Sequence, residues 1–267
     1  MAHISKVRLK DIKEAQRFDS EYLLVSLQTF PLDGAKLLSE ISDITDGEHG
    51  APELDSKSGI IYLSGHNIKD NVLNIEGIRT CTKRLHDKNK RSSLKKDSVL
   101  LSSVGTVGNA SVVYTNIIGN TDRHVITIKN INKKFSPYYI STFLNSRIGR
   151  MQTNALSCGN VQKMLNLHSA RKIRIPIFPQ SFQQEIETIV KTAHHKREQS
   201  KLLYKQAEKI LLEELDMVNY KPKHQLSFTT SKKKIDNARR FDSEYFHPKY
   251  DKIIKKIENY YGGWGYV

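Results

Sequence analysis

The segment from Thr153 to Gln162 is rich in amide and hydroxyl side chains, whose paired donors and acceptors can contact the edges of DNA bases. Basic residues on both sides of the segment can bind phosphate groups and position it without reading sequence. The same composition also fits an ordinary surface loop. The amide candidates are Asn154, Asn160 and Gln162, and the flanking basic candidates are Arg147, Arg150 and Lys163.

The densest positive charge lies between Arg79 and Lys96, where eight basic residues accompany a single acid, Asp87. A basic concentration on a folded domain attracts the DNA phosphate backbone and releases its counterions. Charge alone fits a solvated, lysine-rich loop equally well. The phosphate-binding candidates in this stretch are Arg79, Lys83, Arg84, Lys88, Lys90 and Arg91.

Catalytic patterns are weaker than these binding patterns. Asp55-Ser-Lys57, with Asp43 or Asp46 upstream, supplies the two acids and the lysine of a magnesium-dependent nuclease, but the pattern is degenerate and lies in a loop-like sequence. The chain lacks the phosphate-cradling glycine loop of ATP-driven motors and the Asn-Pro-Pro-aromatic motif of DNA amine methyltransferases. We therefore predict no catalytic residue and no bound metal ion, with an autonomous nuclease as the alternative.

The amino-acid composition further limits the class of protein. The 267 residues include 43 Lys and Arg against 28 Asp and Glu, which gives a net charge of +15. No run approaches the roughly 18 apolar residues of a membrane span, and the first residues lack the apolar core of a signal peptide. Cys81 and Cys158 are too few for a disulfide framework or a four-thiolate cluster. We expect a folded, basic, cytoplasmic protein.

An internal repeat organises the chain. Ala15-Gln-Arg-Phe-Asp-Ser-Glu-Tyr22 recurs as Ala238-Arg-Arg-Phe-Asp-Ser-Glu-Tyr245, with seven of eight positions identical at an offset of 223. We expect one complete unit followed by the start of a second. The predicted segments are 1–22, the first copy of the repeat start; 23–180, a mixed α/β domain; 181–219, a long helix; and 220–267, a truncated second repeat.

Periodicity predicts an α+β fold. Short β-branched runs predict strands at 60–63, 99–102, 110–114, 125–128 and 173–177, and Pro137 begins a short amphipathic helix that ends near Ser146. From Ser181 to Val218 there is no Gly or Pro, and apolar or small residues recur near the 3.5-residue spacing of a coiled coil. The alternative is two helices broken near 196–198. The predicted helix-interface residues are Ile186, Ile189, Val190, Ala193, Leu203, Ala207, Ile210 and Leu211.

A series of short motifs resembles the specificity subunit of type I restriction-modification systems. Each motif is weak alone, but they follow in order over nearly the whole chain, which makes the resemblance specific. The motifs are Asp46-Gly-Glu-His-Gly-Ala-Pro52, Tyr62-Leu-Ser-Gly-His-Asn-Ile68, Asp97-Ser-Val-Leu-Leu-Ser102, Gly105-Thr-Val-Gly108, Ser136-Pro-Tyr-Tyr139, Phe143-Leu-Asn-Ser146, Gly159-Asn-Val-Gln162, Ile173-Arg-Ile-Pro-Ile177, Gln183-Gln184 and Ala207-Glu-Lys-Ile-Leu-Leu-Glu-Glu-Leu215.

The resemblance implies a target recognition domain and a spacer helix, followed in the family by a second copy of both. Each recognition domain reads one half of a split DNA target, and the two helices pack antiparallel and set the gap between the halves. The subunit itself is not catalytic. Methyltransferase subunits transfer a methyl group from S-adenosylmethionine to adenine, and a restriction subunit adds Mg- and ATP-dependent translocation and cleavage. His49 and Asn67, inside the matching motifs, join the base-reading candidates.

This chain departs from the family pattern because a second recognition domain is missing after about Val267. We therefore expect it to act as a homodimer through the long helix, or together with a separate second half. A further alternative is an assembly or inhibitory fragment that binds methyltransferase subunits without selecting a DNA sequence.

Overall fold

A computed structural model describes residues 9–15, 34–159, 162–221 and 225–265. The chain divides into two compact units, Met1–His194 and His195–Val267. Asn160 and residues 16–22 of the first repeat copy lie outside the described residues. None of the helices in the described ranges is both long enough and apolar enough to cross a membrane.

The first unit combines short strands with short helices. Its strands are β1 (Lys36–Leu37), β2 (Asp43–Asp46), β3 (Ile61–Leu63), β4 (Ile68–Lys69), β5 (Val72–Leu73), β6 (Val99–Ser102), β7 (Ala110–Val112), β8 (Gly119–Thr121), β9 (Val125–Lys129) and β10 (Arg174–Ile175). Its helices are α1 (Leu9–Ala15), α2 (Leu38–Ile41), α3 (Lys83–Lys88), α4 (Pro137–Asn145), α5 (Arg147–Leu156) and α6 (Leu167–Ala170), with 3₁₀ turns at Gly65–Asn67 and Lys90–Ser92. The long helix α7 (Gln180–Glu214) continues into the second unit, which adds α8 (Lys232–Ala238) and α9 (Pro248–Glu258).

An antiparallel sheet in the order β2-β9-β6-β7 forms the centre of the first unit. β6 and β9 are buried along their whole length because both faces of the sheet are covered. On β6, Val99 and Leu101 belong to the larger apolar cluster, which α4 completes, whereas Leu100 belongs to a second cluster with Leu63 and Ile68. Each such side chain stabilises the fold by roughly 1.5–3 kcal/mol on burial.

Three smaller strand pairs surround this sheet. β1 pairs with β10 and β4 with β5, both antiparallel, whereas β3 and β8 pair in parallel with Leu63 opposite Thr121. The parallel pair brings the turn that follows β8 close to the segment that follows β3.

The structure confirms the main elements predicted from the sequence. The strands at 99–102 and 125–128 are present, as is the helix that begins at Pro137. α7 is a single helix that runs unbroken through 196–198, so the alternative of two helices is wrong. The polar segment 153–162 is not a loop in its first part, because Thr153 and Asn154 belong to α5.

The internal repeat is visible in the helix boundaries. α1 and α8 are both seven residues long, and their first and last residues are separated by the same offset of 223 as the repeated sequence. After α8, Arg239 has a left-handed φ of 50°, and the Asp242 carboxylate accepts a hydrogen bond from the Tyr245 N–H at 3.0 Å. The repeated sequence is thus accompanied by a repeated helix.

The second unit is held together by polar contacts at the end of α7. The Glu214 carboxylate accepts hydrogen bonds from the Tyr260 and Tyr261 hydroxyls at 2.8 and 2.7 Å. The bonds from Tyr261 and Tyr260 lower the pKa of Glu214. The Lys256 ammonium lies 3.1 Å from the Asp216 carboxylate, so α9 is tied to the same end of α7.

Candidate nucleic-acid interface

Two cavities in the first unit meet at a pair of loops. One has a volume of about 590 Å³ and the other about 880 Å³, and both are lined by His49, Arg123 and His124. We call the two cavities together the loop groove. Further polar and basic lining residues are Arg79 and His66 in the first cavity and Gln162, Asn166, His168 and Arg171 in the second.

The loop that follows β2 approaches the turn between β8 and β9 very closely at Gly47. The Glu48 N–H donates to the Thr121 carbonyl oxygen at 3.0 Å. A Cβ atom added at Gly47 would lie 2.0 Å from the same carbonyl oxygen and 2.2 Å from that of Asp122. Because these are main-chain atoms that cannot rotate away, only glycine permits this approach.

The turn from Asp122 to Val125 is fixed by main-chain hydrogen bonds. The Asp122 N–H donates to the Leu63 carbonyl at 2.8 Å, and the Val125 N–H donates to the Asp122 carbonyl at 3.2 Å. The His124 carbonyl accepts from the Ser103 N–H at 2.9 Å. The turn therefore presents its side chains to the loop groove from a rigid backbone.

A carboxylate orients each of the two shared histidines. Asp122 accepts from the His124 N–H at 2.9 Å and lies 3.3 Å from His124 Nδ1. Asp46 Oδ2 lies 2.7 Å from His49 Nε2. Such pairs hold an imidazole ring in one orientation and leave its second nitrogen for another partner.

The basic stretch is anchored beside the loop groove by two buried side chains. The Asn120 amide donates to the Asn89 carbonyl at 2.8 Å and to Ser92 Oγ at 3.0 Å. Lys129 donates to the main-chain carbonyls of Arg91 and Ser93, and burial, followed by the charge of Lys95, lowers its pKa. A buried amide left without its partners costs about 1–3 kcal/mol, so these contacts outweigh the exposed ion pairs nearby.

Several of the basic candidates already bind acidic groups. The Arg84 guanidinium makes two hydrogen bonds to Glu53, and these lower the pKa of that carboxyl. Arg91 lies 3.7 Å from the Asp46 carboxylate and donates to the Gly47 carbonyl at 3.3 Å, which places it at the edge of the loop groove.

Arg150 binds Asp70 and also contacts Asn145 Oδ1 and the Val107 carbonyl. We therefore withdraw it from the phosphate-binding candidates. Lys83, Lys88 and Lys90 remain exposed on α3 and the 3₁₀ turn, and Arg79 is exposed over the Tyr62 ring. Arg147 is exposed at the start of α5, and Lys163 is half-buried.

The structure places the base-reading candidates in different environments. His49 and Gln162 line the loop groove, and Asn154 is exposed on α5. Asn67 is buried and bonded within the protein, because its Oδ1 accepts from the Ser64 N–H at 2.9 Å and its Nδ2 donates to the Asn74 carbonyl at 3.2 Å. Asn67 is therefore removed from the base-reading candidates, because its buried amide is bonded within the protein and is not accessible to a base.

Six arginine, histidine or amide lining residues were not among the candidates predicted from the sequence: His66, Arg123, His124, Asn166, His168 and Arg171. The signal was present in Asp122-Arg-His124, a charged triplet directly before the buried strand β9. The triplet could not be placed at the end of a strand from the sequence, because the preceding strand β8, Gly-Asn-Thr, has no alternation of apolar and polar residues.

The predicted interface of the long helix is only partly exposed. Val190 is buried and Ile186 packs against the larger apolar cluster of the first unit, so both are removed from that interface. Ile189, Leu203 and Ile210 expose 62%, 64% and 66% of their surface. Ala193, Ala207 and Leu211 are exposed as well.

The residues of the nuclease hypothesis make local contacts. Asp55 Oδ1 accepts from the Lys57 N–H at 2.9 Å, which closes a turn, and Asp46 lies against His49 and Arg91. Asp43 accepts from the Asn130 amide at 2.6 Å. Across the ranges that the structure describes, no three His, Cys, Asp or Glu side chains form a group suited to a metal ion.

Comparison with known proteins gives one family. Residues 36–208 match the family described as type I restriction modification DNA specificity domain. The chain is 28% identical over 137 residues to the type I restriction enzyme EcoBI specificity subunit of Escherichia coli, a match that covers 51% of this chain and 28% of that protein.

Two solved structures are also similar. The type I restriction-modification S subunit from M. genitalium has a TM-score of 0.45 and 17% identity, covering 68% of this chain and 43% of that one. The HsdS subunit from Thermoanaerobacter tengcongensis has a TM-score of 0.46 and 16% identity, covering 70% and 46%. The chain thus spans less than half the length of each of these three proteins.

The close approach at Gly47 gives a direct stability prediction. Gly47→Ala should lower the free energy of unfolding by about 1–3 kcal/mol, because the new methyl group overlaps main-chain oxygen atoms. Gly50→Ala is the matched control: its Cβ would meet only the end of the Glu48 side chain, at 3.0 Å, and the change should stay within about 0.5 kcal/mol. Chemical denaturation measures both, and equal effects would contradict the packing described.

Proposed function

The chain belongs to the family of type I restriction-modification DNA specificity domains, and from that membership we propose that it is a sequence-recognition subunit whose first unit binds one half of a bipartite duplex DNA target. The observation that carries the proposal is the loop groove. Arginine, histidine and amide side chains converge there on a rigid backbone, beside exposed lysines.

In the proposed interface, the side chains in the loop groove contact bases and the exposed lysines contact phosphates. Side chains inside the loop groove, such as Gln162 and His49, carry the donors and acceptors that base edges require. Lys83, Lys88 and Lys90 lie on the exposed basic stretch beside it and bind phosphate groups. In this arrangement the lysines supply affinity and the groove supplies sequence preference.

Catalysis belongs to partner subunits in this proposal. The chain docks methyltransferase subunits, which use S-adenosylmethionine, and a restriction subunit that uses ATP and magnesium can join the complex. The nuclease alternative is not favoured, because the acids on which it depends are engaged elsewhere: Asp55 in a local turn, Asp46 with His49 and Asp43 with Asn130.

We further propose that two copies associate through α7. Leu203 and Ile210 are seven residues apart and exposed, and the small side chains of Ala193, Ser200 and Ala207 recur at the same spacing between the larger apolar residues. This alternation suits a two-stranded coiled coil. A two-fold assembly would present two identical recognition units to a palindromic split site.

A binding selection tests the recognition function. The full chain, alone and with a type I methyltransferase subunit, is mixed with randomised duplex DNA and magnesium, and the bound fraction is sequenced. We expect enrichment of one sequence and intact DNA. Cleavage without a partner would support the nuclease instead, and methyltransferase binding without enrichment would support an assembly fragment.

Removing the lysine charges should weaken binding to all sequences equally. For a chain with Lys83, Lys88 and Lys90 changed to Ala, we expect the slope of log affinity against log salt concentration to fall by about 2–3, because each phosphate contact contributes about 0.9. The same change at Lys232, Lys233 and Lys234, exposed on α8, is the charge-matched control. An equal loss in the control would show that only total charge matters.

A single substitution on the exposed face of α7 should dissociate the dimer. Leu203→Asp places a charge at the centre of the proposed helix pair and should yield a monomer by light scattering. Leu202→Asp is the matched control, since Leu202 is 61% exposed on the same turn but lies off the stripe, and it should remain dimeric. A wild-type monomer at micromolar concentration would contradict the dimer.

A further inference from the structure

We propose that Arg123 is the specificity-determining residue of the first unit and that it reads a guanine in the target through its paired guanidinium donors. The inference rests on the proposed function and adds to it the side chain and the base. Arg123 was not among the candidates predicted from the sequence, and it is exposed at the tip of the turn between β8 and β9.

The position of Arg123 sets it apart from the other arginines that line the loop groove. It lines both cavities of the loop groove, whereas Arg79 lines only the first and Arg171 only the second. A side chain at the junction can enter a DNA groove while its neighbours contact the phosphates on either side. Arg79 and Arg171 therefore suit backbone contacts, which position the duplex without selecting a sequence.

Main-chain contacts fix the backbone of the turn that carries Arg123. Hydrogen bonds of 2.8–3.0 Å join this turn and the adjoining loop to main-chain groups of Leu63, Ser103 and Thr121. Gly47 also packs directly against the carbonyl oxygens of Thr121 and Asp122. A base-reading side chain needs such support, because a small misplacement breaks a two-bond contact.

The Arg123 guanidinium is held in one orientation, and its outer nitrogens remain available to bind a base. Arg123 Nε donates to His124 Nε2 at 3.3 Å, and Asp122 in turn holds His124 through Nδ1. This chain of bonds uses the inner nitrogen of the guanidinium, and no carboxylate among the described residues forms an ion pair with Arg123. Its two terminal nitrogens can donate to O6 and N7 of guanine, the commonest specific arginine contact with DNA.

Other arginines of this unit lack that freedom. Arg84 is bound to Glu53, Arg91 lies against Asp46, and Arg150 is bound to Asp70. A base would have to displace a carboxylate from each of them. Arg123 meets the requirements of position, rigidity and free donors together.

The test is a binding selection from randomised duplex DNA with the full chain and a type I methyltransferase subunit. Four proteins are compared: wild type, Arg123→Ala, Arg123→Lys and Arg174→Lys. Arg174 is exposed on β10, lines neither cavity of the loop groove and is not a binding candidate, so its variant is the matched control. Thermal unfolding of each variant checks that this exposed position tolerates the change.

We expect wild type to select a site with a guanine at one position. Arg123→Ala should lose the preference at that position by roughly 10- to 100-fold and keep it elsewhere. Arg123→Lys should recover total DNA affinity but not the full preference, because a lysine cannot make the two parallel bonds. Arg174→Lys should select the wild-type site.

Two outcomes would overturn the inference, and they differ. If wild type selects a sequence and both Arg123 variants select it unchanged, Arg123 is not the reader, while the recognition function stands. If wild type selects no sequence, the recognition function fails and the assignment of Arg123 fails with it.

Discussion

The contact between Gly47 and the end of strand β8 is the constraint on which the loop groove depends. There is no room for even one methyl group between the loop after β2 and the carbonyl oxygens of Thr121 and Asp122. Because β2 and β9 are partners in the central sheet, while β8 pairs with β3, this contact joins the main sheet to the smaller one. The histidines and the arginine shared by the two cavities are placed by the backbone on either side of it.

In the first unit, the contacts that make the backbone rigid are not those that set the surface charge. The groove is held by main-chain hydrogen bonds and by buried polar side chains such as Asn120 and Lys129, whose loss would leave buried donors or acceptors unpaired. The exposed ion pairs, including Arg84 with Glu53, contribute little to stability because water and salt screen them. Surface charge is therefore free to change for binding without cost to the fold. A recognition domain can then vary its groove side chains while its frame is retained.

The sequence predicted the parts of the fold that a regular pattern encodes. β6 and β9 are runs of mainly β-branched or apolar residues, α7 contains a long apolar repeat without Gly or Pro, and the repeat at an offset of 223 is matched by α1 and α8. The site was harder to predict. Asn154 lies on a helix and not in a loop, Asn67 is buried by a local 3₁₀ turn, and Arg123 reaches the groove only because two sheets meet beside it. Tertiary packing decides such positions: the triplet Asp122-Arg-His124 indicates charge in the sequence but not its place in the groove.

DNA bound in the loop groove would shield the groove side chains from solvent, and hydroxyl-radical footprinting of the full chain with its selected duplex measures that protection. His49, His124 and His168 line the groove, whereas Phe241, 88% exposed in the second unit, serves as an internal reference. We expect oxidation of the three histidines to fall when DNA is bound and oxidation of Phe241 to stay unchanged. Unchanged oxidation of the histidines in a DNA-saturated chain would contradict it.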